Sequence, residues 1–167
     1  MITQKAGHEN NQTYLLLHNI RSVYNVGAIF RTADAVGVSK IYVSGYTPAP
    51  IDRFGRERKD LAKVALGAEK TIAWEFVENP IILIKKLKKE KVVILGLEQT
   101  KNSVDYRKIK KVPKRLVILG EEVYGIEEKI IKLCDQIAEI PMLGNKESLN
   151  VSVATGILLY SIIDTKK

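Results

Sequence analysis

One cysteine, Cys134, is all that this 167-residue chain contains, so no disulfide can form within it. The thiol falls in an apolar helical pattern and reads as a packing group. Histidine is nearly as scarce. His8 and His18 stand without cysteines or clustered carboxylates at metal-ligand spacing, so no metal is expected. No apolar run approaches the ~20 residues that a spanning helix requires, and the polar stretch from Met1 to Asn11 has no signal-type core. The expectation is a soluble, cytoplasmic protein with no membrane partner. Glycine spacing removes two common cofactor classes. Gly120 and Gly125 are followed by Ile126-Glu127 where a triphosphate-binding loop needs Lys and Ser or Thr, and Arg21 to Gly27 holds too few glycines for a dinucleotide fingerprint.

What is present begins with charge. Lys and Arg number 27 against 19 Asp and Glu, a formal net charge of +8. The excess favours a polyanionic partner, with nucleic acid first, although an acidic membrane surface satisfies the same arithmetic and a merely solvated surface is the plain alternative. Hydrophobic residues make up 46% of the chain, enough for one core at this length. A flexible tail over 1–12 and a single domain over 13–167 are expected.

Hydrophobic patterning predicts a strand at Tyr14 to His18, a helix from an Asn25 N-cap to Val36 closed by Gly37, and a strand at Ile41 to Ser44. Strand, helix, strand implies a parallel sheet with crossover helices. Thr47 to Lys59 reads as an exposed basic loop and Leu61 to Leu66 as a short helix. Asn79-Pro80 opens a helix over Ile81 to Lys89, and Val92 to Leu97 is a buried strand. After the basic stretch Thr100 to Lys114, a strand at Leu116 to Leu119 runs into the Gly120 to Gly125 turn. A helix at Glu127 to Cys134, a strand at Ile137 to Ile140, a loop at Pro141 to Glu147 and a final helix at Leu149 to Ile163 complete an α/β domain of five or six strands. The last helix is apolar nearly all round, which predicts burial.

Several polar residues fall at strand ends and helix starts, where α/β proteins build ligand sites. Each also has a plainer reading. Asn25 and Ser148 are good N-caps, Arg31 can pair with Asp34 on a solvated face, and Glu121 and Glu122 can be solvated turn acids. Asn150 is an amide without an obvious duty near the start of an apolar helix.

Their order carries more than any one of them. Asn25-Val26-Gly27-Ala28-Ile29-Phe30-Arg31-Thr32-Ala33-Asp34-Ala35-Val36-Gly37, then Leu119-Gly120-Glu121-Glu122 with Gly125, then Ile140-Pro141-Met142-Leu143-Gly144 and Ser148-Leu149-Asn150-Val151-Ser152-Val153-Ala154 resemble the three ordered motifs of the SpoU (TrmH-like) RNA 2′-O-ribose methyltransferases. The resemblance implies a SPOUT fold, a mostly parallel sheet flanked by helices with a C-terminal deep trefoil knot, an exception to the rule that chains avoid threading. It implies S-adenosylmethionine as cofactor, held by Leu97, Gly120, Ile140, Met142 and Leu149. It also implies catalytic duties for Asn25, Arg31, Glu122, Ser148 and Asn150, a tRNA or rRNA substrate, and a homodimer in which Arg31 of one subunit completes the site of the other. The sequence departs from the usual motif at Val123, where relatives often carry glycine, and at Glu121, where many carry a small or amide residue. A non-catalytic RNA-binding module and a base methyltransferase are the rival readings.

Overall fold

The computed structural model describes residues 12–165. The tail expected over 1–12 therefore lies outside the described residues except for Gln12, which opens the first strand and donates its N–H to the Pro113 carbonyl at 2.7 Å. The strands are β1 (Gln12–His18), β2 (Lys40–Ser44), β3 (Trp74–Val77), β4 (Val93–Leu97), β5 (Val104–Asp105), β6 (Lys114–Leu119) and β7 (Gln136–Glu139). The helices are α1 (Val23–Val36), α2 (Lys59–Ala65), α3 (Ala68–Thr71), α4 (Pro80–Lys89), α5 (Glu128–Ile131) and α6 (Val151–Ile162).

All the strands belong to one parallel sheet in the order β3-β2-β1-β6-β4-β7-β5. The chain winds outward from β1 to β3, then crosses to the other half of the sheet. Strand alternation sorts the apolar residues onto two covered faces. Leu15, Leu17, Leu95, Val117 and Leu119 face a core closed by α1, α2, α3 and α6, whereas Leu16, Ile94, Leu116 and Ile118 face one closed by α4 and α5. The predicted architecture is thus present, with seven strands rather than five or six. The two strands that patterning missed, β3 and β5, are the sheet's two edges. An edge strand is covered less completely and carries no apolar run, and Glu75 and Phe76 of β3 are both exposed.

Local capping differs from expectation at both site helices. Ser22, not Asn25, caps α1, its hydroxyl accepting the Asn25 N–H at 3.2 Å. Asn150, not Ser148, caps α6 by accepting the N–H groups of Ser152 and Val153 at 2.9 and 3.4 Å. The helix predicted over Glu127 to Cys134 is confined to the four residues of α5. No helix among the described residues is long and apolar enough to cross a membrane.

Cys134 packs beside Gly96, where an added Cβ would lie 3.2 Å from the sulfur. Burial, then the neighbouring Asp135 charge, pushes its thiol up to about 11. The thiolate fraction at neutral pH is therefore about a hundredfold below that of an ordinary cysteine. Iodoacetamide should label native protein far more slowly than urea-unfolded protein, and equal rates would contradict this placement.

Candidate active site

The carboxyl ends of β6, β4 and β7, which are neighbours in the sheet, open into one cavity of about 590 Å³. Its walls are residues 97–99 after β4, residues 119–125 after β6, Glu139, Ile140 and Met142 after β7, and residues 147–151 with Ala154 at the start of α6. Ligands bind parallel α/β sheets at this edge because loops there are free of the sheet's hydrogen bonding while rigid strands position them. The Gly120 to Gly125 turn is the floor. It closes on itself through two backbone bonds between Glu121 and Gly125, with N–H to carbonyl distances of 3.2 and 2.9 Å. Glu121 braces it from within, its carboxylate accepting the N–H groups of Val123 and Tyr124. Gly120 is required by contact: an added Cβ would fall 2.5 Å from backbone atoms of Gly125 and Ile126. Gly125 is required twice, by its φ of +70° and by the Glu98 carboxylate 2.0 Å from where its Cβ would be.

Every residue assigned by resemblance to cofactor binding, Leu97, Gly120, Ile140, Met142 and Leu149, lines this cavity, as do Glu122, Ser148 and Asn150. Asn25 does not line it but is tied to it. The Asn25 amide donates to Glu122 at 3.2 Å, and its carbonyl accepts from the Asn150 amide at 3.0 Å. Glu122 further accepts the backbone N–H groups of Arg21 and Ser22 at 3.2 and 3.4 Å. Partial desolvation opposes ionisation of Glu122, but the hydrogen bonds from Arg21, its own N–H, Asn25 and Ser22 outweigh it, and its pKa lies below the ordinary 4.5. Asn25 is thus freed from the capping role given to it in sequence, Asn150 takes one up, and the three side chains form one chain from the β6 turn to both site helices.

Arg31 stands apart. It is exposed and does not line the cavity. The plain pairing with Asp34 is also absent: among the described residues no ion pair joins them, and Asp34 accepts from the Thr71 hydroxyl at 2.8 Å. At about 100° per residue Arg31 shares a face of α1 with Tyr24, Ala28 and Ala35 rather than with Asn25. Tyr24 is 70% exposed. On α6, which packs against α1, Val153 and Tyr160 are 51% and 56% exposed. The prediction that α6 is buried all round is thus corrected: Leu158, Leu159 and Ile162 are in the core, and its opposite face is bare.

Such a molecule is an α/β protein with an open cavity at the carboxyl edge of its parallel sheet. Residues 12–160 match the model of the SpoU rRNA methylase family, and the chain belongs to that family. It is 34% identical over 142 residues to a tRNA (guanosine(18)-2′-O)-methyltransferase of Aquifex aeolicus, covering 85% of this chain and 64% of that one. It is 33% identical over 153 residues to the 23S rRNA (guanosine-2′-O-)-methyltransferase RlmB of Bordetella pertussis, covering 89% and 58%. The chain thus spans about three-fifths of the length of these curated relatives. Among solved structures, the A. aeolicus TrmH/SpoU tRNA modifying enzyme aligns with a TM-score of 0.80 at 30% identity, over 92% of this chain and 75% of that one. An AdoMet-bound rRNA methyltransferase from Sinorhizobium meliloti aligns with a TM-score of 0.81 at 27% identity, over 93% and 57%. The SPOUT architecture is therefore shared, and the threading of the C-terminal segment is implied by that fold.

Two outcomes follow from the geometry. Gly120→Ala should cost about 1–3 kcal/mol through overpacking against backbone and abolish ligand binding in the cavity, measured by thermal unfolding and calorimetry. A depressed folded-state pKa means that the contribution of Glu122 is present at neutral pH and is lost as pH falls through that lowered value. NMR titration of the Glu122 carboxyl should place its midpoint below 4.5, and a midpoint above it would remove the hydrogen-bonded chain.

Proposed function

We propose that the protein is an S-adenosylmethionine-dependent RNA methyltransferase that modifies a ribose 2′-hydroxyl of tRNA or rRNA. One observation carries the reading: the cavity residues and the Asn25, Glu122, Asn150 chain, drawn from three separated motifs, meet at one sheet edge in a member of the SpoU family. The lining fits the cofactor. Apolar side chains of Leu97, Ile140, Met142 and Leu149 with the bare backbone of Gly120 suit an adenine and a thioether-like chain, while the carboxylates around them suit its cationic groups.

When bound, the cofactor supplies an electrophilic methyl on a sulfonium, so that an oxygen–carbon bond forms as the carbon–sulfur bond breaks and the electron pair stays on sulfur. The protein's task is alignment and disposal of the hydroxyl proton. Glu122 fixes the β6 turn against the start of α1, Asn25 and Asn150 hold the two helix starts together, and Ser148 adds a hydroxyl to the wall. Arg31 offers a guanidinium, which is a donor fork and a poor base. Its fork binds an RNA phosphate and the ribose hydroxyl, and the proton leaves to that phosphate or to water.

Because Arg31 does not line its own cavity, it serves the cavity of a second copy. The bare stripe of Tyr24, Val153 and Tyr160 supports a homodimer through α1 and α6. RNA is gripped by the exposed loop between β2 and α2, where the guanidinium groups of Arg53 and Arg56 lie 4.8 and 5.0 Å from the Phe54 ring centre. That loop offers both phosphate contacts and an aromatic face on which a base can stack. Such an enzyme acts in the cytoplasm.

Incubation with labelled S-adenosylmethionine and separated RNA fractions, followed by nucleoside analysis, should yield a 2′-O-methyl nucleoside; label on a base, or none, would overturn the reading. Arg31→Ala should lower methyl transfer about a hundredfold or more while cofactor binding persists. Activity should return when Arg31→Ala and Asn150→Ala proteins are mixed, since one of the two hybrid sites is then intact. A monomer by light scattering that retains activity would refute the dimer.

A further inference from the structure

The cavity's charge is the reverse of the molecule's. In a protein of net charge +8, Glu98, Glu121, Glu122, Glu139 and Glu147 all line one cavity, and no Lys, Arg or His lines it. Among the described residues none of these five takes part in an ion pair; Glu98, Glu121, Glu122 and Glu139 are instead held by N–H or hydroxyl donors. The hydrogen bonds fix the carboxylates without cancelling their charge. The Arg21 guanidinium lies outside, 5.8 Å from the Tyr46 ring centre. Its pKa is raised first by Tyr46, and the Glu121 and Glu122 charges add to the rise. Nor do the carboxylates converge as ligands of an ion: among the described residues no group of three or more His, Cys, Asp or Glu could hold a metal. The negative charge is spread along the walls, as an extended organic cation requires.

We infer that this carboxylate-lined cavity discriminates by charge, preferring the sulfonium cofactor to its neutral thioether product. The inference rests on the cofactor assignment above. S-adenosylmethionine carries one positive charge more than S-adenosylhomocysteine, and the two are otherwise alike except for the methyl. Carboxylates ranged along the walls of one cavity add their fields, so several acting together favour the charged form even without touching sulfur. When the methyl passes to the ribose oxygen the sulfonium becomes a neutral thioether, so the attraction to the carboxylates falls, which weakens product binding and limits its inhibition. Glu121 is part of that field as well as a brace of the turn.

Calorimetric titration with S-adenosylmethionine, S-adenosylhomocysteine and sinefungin, which carries an ammonium in place of the sulfonium, tests this directly. Both cations should bind about tenfold or more tighter than the thioether at low salt, with the ratio shrinking as salt rises. Glu147→Gln, at an exposed position with no side-chain partner to lose, should reduce the ratio while leaving thioether affinity unchanged. Glu121→Gln, which keeps an acceptor oxygen for the turn, should do the same. Equal affinity for all three compounds would overturn the inference and leave the cofactor assignment standing. Failure of all three to bind would overturn both.

Discussion

The Glu122 carboxylate holds the site together. It is the point at which the β6 turn, the loop after β1 and, through Asn25 and Asn150, the start of α6 are joined. Asn25 lies 97 residues from Glu122 and 125 from Asn150, so side chains join segments that no local contact could bring together. A carboxylate can do this because it accepts several N–H donors at once, and charge-assisted bonds are stronger than neutral ones. Everything that positions the cavity's open side depends on that convergence. The rest of the sheet supplies rigidity, with Leu15, Leu16, Leu17, Leu116, Val117, Ile118 and Leu119 of its two central strands at most 1% exposed.

Charge is divided by region. Basic residues lie on outer loops such as Arg53 to Lys59, where counterion release can draw in a polyanion, while the carboxylates line the cavity. One small protein thereby carries opposite charge on its outer loops and in its cavity. Arg31 belongs to neither region of its own subunit. It lies on the exposed stripe of α1, outside the cavity's walls.

Much of this was legible along the chain. Buried parallel strands announce themselves as apolar runs, and β1, β2, β4, β6 and β7 were each read from that signal. Edge strands β3 and β5 were not, because a strand covered on fewer sides needs no such run. Asn79-Pro80 opened α4 as written, its amide oxygen accepting the Ile81 and Ile82 N–H groups at 3.0 and 3.3 Å. The caps of α1 and α6 were misplaced because Ser22 and Asn25, or Ser148 and Asn150, are equally good formers of the same local bond. Only distant partners decide between them: Asn25 is claimed by Glu122, and Asn150 reaches Asn25 while still capping α6.

The sequence by itself determined the parallel α/β class, the excess of positive charge and, through three ordered motifs, the family and the residues gathered at the cavity. Those are properties of local pattern and order, which a chain carries before it folds. The tertiary structure alone decided that five glutamates line one cavity with no Lys, Arg or His in its walls, that Arg31 lies outside its own cavity, and that α6 leaves Val153 and Tyr160 half exposed. Each of these depends on which surfaces meet across long stretches of chain, and a linear pattern holds no record of that.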